Sequence, residues 1–227
     1  MIAIRPPEYF PRCAFVGLLA QVDRFVLADT LQYSRQSFQN RSTLRNPNGW
    51  QWISIPLLAH QHGRPICEVA VELDTRWREK HWRAFMYNYR STLYFEYFED
   101  TFKPFFSHDG QALGEWTCRS VERTAELFDL DTQITRASDL PGAPDTLAAI
   151  YDAVGGGPVV TPAAAAAHDA NALADVLPSD DLHVFRFAHP EYRQNFEGFE
   201  AGMSALDVLF NHGPQGLRTI FKAARIE

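Results

Sequence analysis

Cysteine is scarce in this sequence: Cys13, Cys67 and Cys118 are the three among 227 residues, an odd number with no Cys-x-x-Cys spacing. Such usage argues against a disulfide framework or a zinc ribbon and points to a reducing compartment. Long apolar runs are missing too. No stretch approaches the ~20 residues that a spanning helix needs. The opening MIAIRPPEYFPR has no charged segment leading into a long apolar one, so neither a membrane span nor a signal peptide is expected. Positive charge is in deficit, with 21 Lys and Arg against 28 Asp and Glu and a net charge of −7. Non-specific nucleic-acid affinity comes from clustered cations, so a general phosphate-backbone binder is disfavoured. Three motifs are absent: a Gly-x-Gly-x-x-Gly after the first strand, a phosphate-loop lysine motif and a Gly-x-Ser-x-Gly elbow. The dinucleotide, nucleoside-triphosphate and serine-hydrolase sites built on them are therefore not expected. The expectation is a cytoplasmic protein with no nucleic-acid or membrane partner, no cofactor and no metal.

Aromatic residues, by contrast, abound: 17 Phe, 8 Tyr and 5 Trp within a hydrophobic share of 46%. That suffices for one large core, and residues 1–227 read as a single domain. MIAI reads as a short strand stopped by Pro6 and Pro7, which have no N–H to give a ladder. CAFVGLLAQV then reads as a helix and RFVLAD as a strand, the order of a parallel pair. WQWISIPLL and ICEVAVEL alternate with period two on either side of HQHGRP, which predicts a β-hairpin at about residues 50–73. Residues 75–106 carry aromatics at helical spacing and predict two helices, broken near Ser91–Leu93 and ended by Pro104. EWTCRSVERTAELF is a further helix and TQITRA a strand. PDTLAAIYDAV follows as a helix ended by Gly155–Gly157, PVVTP as a buried strand, and AAAAAHDANALADVL as a helix of high propensity. LHVFRF reads as the final strand, before closing helices at SALDVLFNHG and PQGLRTIFKAA. The alternation predicts an α/β fold: a mostly parallel sheet flanked by helices, with the hairpin as an insertion and an aromatic-rich helical segment.

The stretch ADTLQYSRQSFQNR, residues 28–41, concentrates directional hydrogen-bonding side chains directly behind a strand. Ligands of α/β sheets sit beyond the carboxyl ends of the strands. Asp29 is placed there to take a proton from an amine, and Gln32, Tyr33, Ser34 and Asn40 to orient a sugar or amide. Arg41 offers a fork for phosphate or carboxylate. The alternative is that Asp29 caps a turn and the amides close a buried loop network. In KHWR, Lys80, Arg83 and Tyr87 share a helix face suited to a diphosphate, beside His81 as a general base near neutral pH. The alternative there is a solvated basic face over Trp82 and Phe85. Tyr9, in the proline-rich first loop, falls beside the Asp29 loop if the first two strands are neighbours, where it stacks on a ligand or simply packs. His189 and Tyr192 in HPEYRQ follow the last strand, although a lone histidine before a proline is more often structural. Ser204 reads as a helix cap. His60-x-His62 sits in a turn, solvated rather than chelating. Cys13 begins a helix, a place that lowers thiol pKa, yet reads rather as a small buried hydrophobe.

Six blocks, PPEYFP, FVLADTLQYSRQSFQNR, NGWQWISIP, KHWRAFMYNYRSTLYFEYF, HPEYRQ and MSALDVLFNHG, run in order from about residue 4 to residue 213. Together they resemble the WbqC-like family. The resemblance implies tailoring of a sugar or other small metabolite in O-antigen polysaccharide or natural-product biosynthesis, with a glycine-transferase role suggested for members. It assigns no catalytic residue. Three departures stand out. Arg5 and Pro6 occupy the family's His-Gln positions, so a fixed cation replaces a neutral base and Arg5 is expected to bind an anion rather than move a proton. Thr30 replaces a second aspartate. Thr161, Pro162, Ala163 and Ala164 replace a Ser-Gly-Pro-Gly turn, stiffening a segment able to bring N–H groups to an anion.

The first expectation is thus an aminoacyl (glycyl-type) transferase. Its acceptor would be a small molecule such as a nucleotide-linked amino sugar, and a carrier protein its acyl donor. Asp29 or His81 would deprotonate the amine, while Arg5, Arg41, Lys80 and Arg83 steady a phosphate. The alternative is a binding or scaffold member that kept the pocket and lost the chemistry. A nucleotide-dependent ligase is a third, weaker reading.

Overall fold

The structure, a computed structural model, describes residues 1–227 apart from the side chain of Ser179. β1 (Ile2–Arg5) and β2 (Arg24–Leu27) lie parallel, Ile2 opposite Arg24 and Arg5 opposite Leu27, joined through α1 (Cys13–Leu19). The strands are buried almost throughout, as parallel strands covered on both faces must be. Period two sorts their side chains: Ala3, Phe25 and Leu27 face one apolar cluster, Ile2, Ile4 and Val26 another.

After β2 the chain leaves the sheet. β3 (Arg41–Asn46) and β4 (Gly49–Ser54) form the antiparallel hairpin, closed at Asn46 opposite Gly49, which takes a φ of +118° that only glycine adopts freely. The hairpin is present, but its strands are 41–46 and 49–54 rather than two arms spread over 50–73. The turn chemistry of Asn46-Pro47-Asn48-Gly49 outweighs the alternation of residues 66–73. That second segment supplies a single 3₁₀ turn, Ile66–Glu68, and two isolated bridges, Val71 to Leu57 and Ala70 to Ala112.

The aromatic segment folds as α2 (Trp77–Tyr89) and α3 (Phe95–Phe102), followed by a 3₁₀ turn at Lys103–Ser107 that carries Pro104. α4 (Leu113–Leu127) leads into β5 (Gln133–Arg136), which pairs in parallel with β2. α5 (Leu147–Ala153) starts where the Thr146 hydroxyl accepts from the Ala149 N–H at 3.2 Å, capping the helix. β6 (Val159–Pro162), α6 (Ala166–Leu173) and β7 (Leu182–Phe187) come next. α7 (Ala205–His212), capped by Ser204, and α8 (Gly216–Lys222) precede a last strand, β8 (Ala224–Ile226). β8 runs antiparallel to β7 and forms the sheet edge, so LHVFRF is not the final strand. Three residues are too few to show a period.

The six-stranded sheet has the order β5-β2-β1-β6-β7-β8. α1 and α4 contribute to the cluster on one face, and α5 and α6 to the cluster on the other. A third cluster joins the hairpin to the aromatic helices. At its centre Phe10, fully buried, packs its ring 5.1 Å from Phe85 and 4.9 Å from Phe105.

Candidate functional site

The strand order defines where the sheet divides. From β1 the chain builds outward through β2 and β5, then returns to the other side of β1 for β6, β7 and β8. β1 and β6 are the two strands at this reversal, and they pair only at Ile2 opposite Val159. Past that pair no ladder pairing joins them up to Arg5 and Pro162 at their carboxyl ends. A crevice of about 800 Å³ occupies this end of the sheet, with Arg5, Pro162 and Phe187 among its walls. Ligands of open α/β sheets bind at such reversals because no strand pairing fills them.

One carboxylate bridges the division. Asp169, on α6, is 4% exposed; its Oδ2 accepts from Arg5 Nη1 at 2.8 Å and from the Thr161 hydroxyl, while its Oδ1 lies 3.0 Å from His168 Nδ1. Arg5 belongs to β1 and Thr161 to β6, so the aspartate ties together the two strands that the ladder does not. The rest of the Arg5 fork makes no hydrogen bond among the described residues. His168 is mostly exposed, its side chain at 77%.

The loop between β1 and α1 forms a second wall. Tyr9 and Phe10 turn inward and are fully buried. Phe10 has a φ of +43°, unusual for a bulky residue, and is pinned on both sides: its N–H donates to Ser120 Oγ at 3.0 Å and its carbonyl accepts from Ser42 Oγ at 2.9 Å. With these two anchored, Glu8 and Arg12 face the crevice. They chelate one another, Arg12 Nη2 donating to Glu8 Oε1 at 2.5 Å, and the Arg12 guanidinium sits 3.6 Å above the Phe38 ring. Phe15, Leu18, Phe185 and Phe187 complete an apolar floor.

Of the residues expected to bind or react, only Arg5 lines this crevice. Asp29 is 2% exposed and holds the turn after β5, its oxygens accepting from the Ser138 N–H at 2.9 Å and the Ser138 hydroxyl at 2.6 Å. The loop that follows closes on itself. Tyr33 donates to Asn40 at 3.1 Å, Asn40 donates to the Ile55 carbonyl at 3.1 Å, and the Ser34 N–H donates to Gln39 at 2.9 Å. Gln32 bridges to Pro65, and Arg41 donates to the carbonyls of Ser37 and Gln36 while lying 4.3 Å over the Trp52 ring. This is the closed loop network that the residue types also allowed.

His81 is buried between Tyr9, whose hydroxyl is 2.9 Å from His81 Nδ1, and the backbone of Ser54. Burial pushes its pKa down to about 4, and burial likewise raises that of Tyr9. Lys80 shares with His81 a smaller hollow of about 400 Å³ between β4 and α2. Arg83 is exposed, 3.5 Å from Glu79, and Tyr87 is 85% exposed. His189 accepts from the Gly202 N–H at 3.1 Å through Nε2 and meets the Pro190 carbonyl at 2.9 Å through Nδ1, with its pKa lowered by burial. Tyr192 donates to the buried Asp207 at 2.9 Å, and Gln194 links that carboxylate (3.0 Å) to Arg45 (3.0 Å). Burial raises the Asp207 pKa and is also the main cause holding the nearby Cys13 thiol up at about 12. Cys13 is thus a buried, protonated thiol. His81, Tyr192 and Cys13 lie in the interior, His189 is half-buried, and Arg83 and Tyr87 face solvent. Tyr33 and Asn40 line a separate hollow of about 500 Å³, so these groups do not all meet at one position.

Thr161, His168 and Asp169, joined to Arg5 through the Asp169 carboxylate, are not marked by any sequence motif. One signal was present in the sequence: His168-Asp169 is a lone polar pair in an otherwise alanine-rich stretch directly after a buried strand. Among the described residues no three His, Cys, Asp or Glu side chains gather as a metal ion would need, and no helix is long and apolar enough to cross a membrane.

Fold and crevice together define an open, doubly wound α/β protein with a ligand-sized opening at its strand reversal. The chain belongs to the WbqC-like protein family, whose pattern it matches over residues 6–219. It is also similar to a Mycobacterium tuberculosis protein named "Uncharacterized protein Rv1507c", with 25% identity over 219 residues, 94% of each chain. No solved structure matches it.

Proposed function

We propose that this protein is a metabolite-tailoring transferase that passes an acyl or aminoacyl group to an amine, with its ligand in the crevice between β1 and β6. The observation that carries the reading is the crevice itself, about 800 Å³ at the strand reversal with the partly engaged Arg5 fork in its wall. That volume suits a small-molecule site. The acceptor is a small molecule such as a nucleotide-linked amino sugar, and a carrier protein supplies the acyl group. Attack by a neutral amine on the donor carbonyl forms the C–N bond and breaks the bond to the leaving group. The proton shed by nitrogen goes to His168, which stands outside the crevice lining, exposed and held through Nδ1 by Asp169, the partner of Arg5. Asp29 and His81 are less suited, since each is already held by two hydrogen bonds in the interior.

A second reading, a binding member without turnover, is favoured by one feature. The only carboxylate in the crevice lining, Glu8, is chelated by Arg12, so no free base or nucleophile stands in the wall. Mass spectrometry of mixtures of glycyl- and acyl-loaded carrier protein with nucleotide-linked amino sugars decides between them. Amide product is expected, with His168→Gln lowering kcat by about 10²–10⁴ at little change in KM and Arg5→Gln raising KM. Ligand-induced stabilisation, about 2.7 kcal/mol at 100 times Kd, without product from any pair would establish the binding reading instead.

A further inference from the structure

The crevice can be read donor by donor. Its polar side chains are Arg5, Glu8, Arg12, Ser37, Gln39 and Arg186. Glu8 is taken by Arg12. The Ser37 hydroxyl donates to the Ser34 carbonyl at 2.6 Å and accepts from the Gln39 N–H at 3.2 Å, and Gln39 Oε1 accepts from the Ser34 N–H. The backbone is partly spent, the N–H groups of Ala14, Phe15 and Ala164 having no acceptor among the described residues. Pro6, Pro7 and Pro162 have no N–H, and the N–H groups of Ala163, Ala165 and Ala188 go to the carbonyls of Phe185, Pro162 and Ala223. Arg186 pairs with Glu227. What remains is the Arg5 fork, the Gln39 amide NH2 and those three N–H groups, over an apolar floor of Phe15, Leu18, Phe185 and Phe187.

A sugar loses many hydrogen bonds to water on entering a pocket and binds only where directional partners replace them. This crevice offers donors without a free carboxylate to accept from hydroxyls, a set that suits an anionic head better than a sugar. A glycyl group, for its part, has no tail to cover the floor.

We infer that the crevice takes an amphipathic anion, an apolar acyl chain along the floor with a carboxylate or phosphate head at Arg5. The inference rests on the crevice being the ligand site proposed above, and it makes that site the pocket for a donor's acyl chain. Arg5 suits the head because Asp169 holds the guanidinium in place through a single N–H and leaves the fork otherwise uncommitted.

Calorimetric titration tests this with hexanoate, octanoate, decanoate and decyl phosphate, beside UDP-N-acetylglucosamine and inorganic phosphate. Affinity is expected to rise about fourfold per methylene, the equivalent of about 0.8 kcal/mol each. Decanoate against decyl phosphate distinguishes a fatty carboxylate from a lipid phosphate as the head. Arg5→Gln should weaken every chain length by a similar factor, about tenfold or more for a lost charge-assisted hydrogen bond. That change leaves Asp169 without its cation, so two further variants are read independently. Ala14→Phe and Ala164→Phe both fill the crevice from its lining and should flatten the chain-length dependence. Dependence that survives both fillings places the tail elsewhere and overturns the inference. Affinity flat in chain length, with UDP-N-acetylglucosamine bound through Arg5, overturns it too but leaves the crevice as the site. If no probe responds to Arg5→Gln or to the fillings, the crevice reading fails, and the inference with it.

Discussion

His81 illustrates how one residue's burial alters its chemistry. Exposed, an imidazole titrates near 6.5; between Tyr9 and Ser54 it does so at about 4. The folded state therefore binds this proton less readily than the unfolded one. The stability this contributes is complete above pH 6.5 and is lost as pH falls toward 4. Over that window the loss amounts to roughly 3 kcal/mol, from about 1.4 kcal/mol per pKa unit. Urea denaturation of the parent and His81→Gln at several pH values isolates the term. The parent should lose this amount relative to the variant between pH 6.5 and 4, and parallel pH profiles would exclude His81 as the source. The residue types near position 81 were legible in the sequence. Their burial was not, because Tyr9 approaches from 72 positions away. The same holds for Asp29, whose partner Ser138 is 109 positions distant.

At the level of elements, contact between α4 and the 3₁₀ turn at 66–68 depends on a missing side chain. A Cβ on Gly114 would stand 2.7 Å from the Cys67 Cα and 3.1 Å from its N. The neighbours are backbone and cannot rotate away. The Leu113 N–H also donates to the Val69 carbonyl at 2.7 Å, fastening the two elements. Gly→Ala inside a helix ordinarily gains about 0.5–1 kcal/mol. Here the overlap should win, and Gly114→Ala should cost about 1–3 kcal/mol, as overpacking does. A lowered denaturation midpoint with unchanged slope would show it; a midpoint at or above the parent's would mean the turn shifts at no cost. The helices were readable from period, and one cap, Ser204, from its residue type. The approach of α4 to this turn was not, since a glycine near a helix start has several local explanations.

Across the whole molecule, Phe10 joins the parts. It leaves the central strand's loop, turns through a φ of +43°, and places its ring among Phe85, Phe102 and Phe105. Its backbone is held by Ser42 of the hairpin and Ser120 of α4. Phe10→Ala should cost about 3–5 kcal/mol, a large share of the ~5–15 kcal/mol that keeps a domain folded. Since Glu8 and Arg12 flank this anchor, the crevice wall should loosen with it. Denaturation with octanoate absent and present tests both effects: a lower midpoint and a smaller octanoate shift are expected, and a parent-like midpoint would dismiss Phe10 as an anchor.

By itself the sequence determined most of the helices and most strands of the sheet, though not β3, β8 or the irregular course of residues 66–73. It also determined that β1 and β2 form a parallel pair and that a large aromatic cluster must be buried. These follow from local periodicity, from prolines that end strands and from the area that aromatic rings must hide. The membership of the family was legible in six short blocks. The proposed crevice was decided by tertiary structure. No local pattern records that β6 rather than β5 lies beside β1, or that the two strands pair in the ladder at a single residue. Arg5 and Asp169 meet across 164 positions because that division leaves an arginine and a buried carboxylate facing each other, and a buried charge requires a partner. The polar loop at 28–41 had the composition of a binding site, but folding spends much of its hydrogen-bonding capacity on the loop itself.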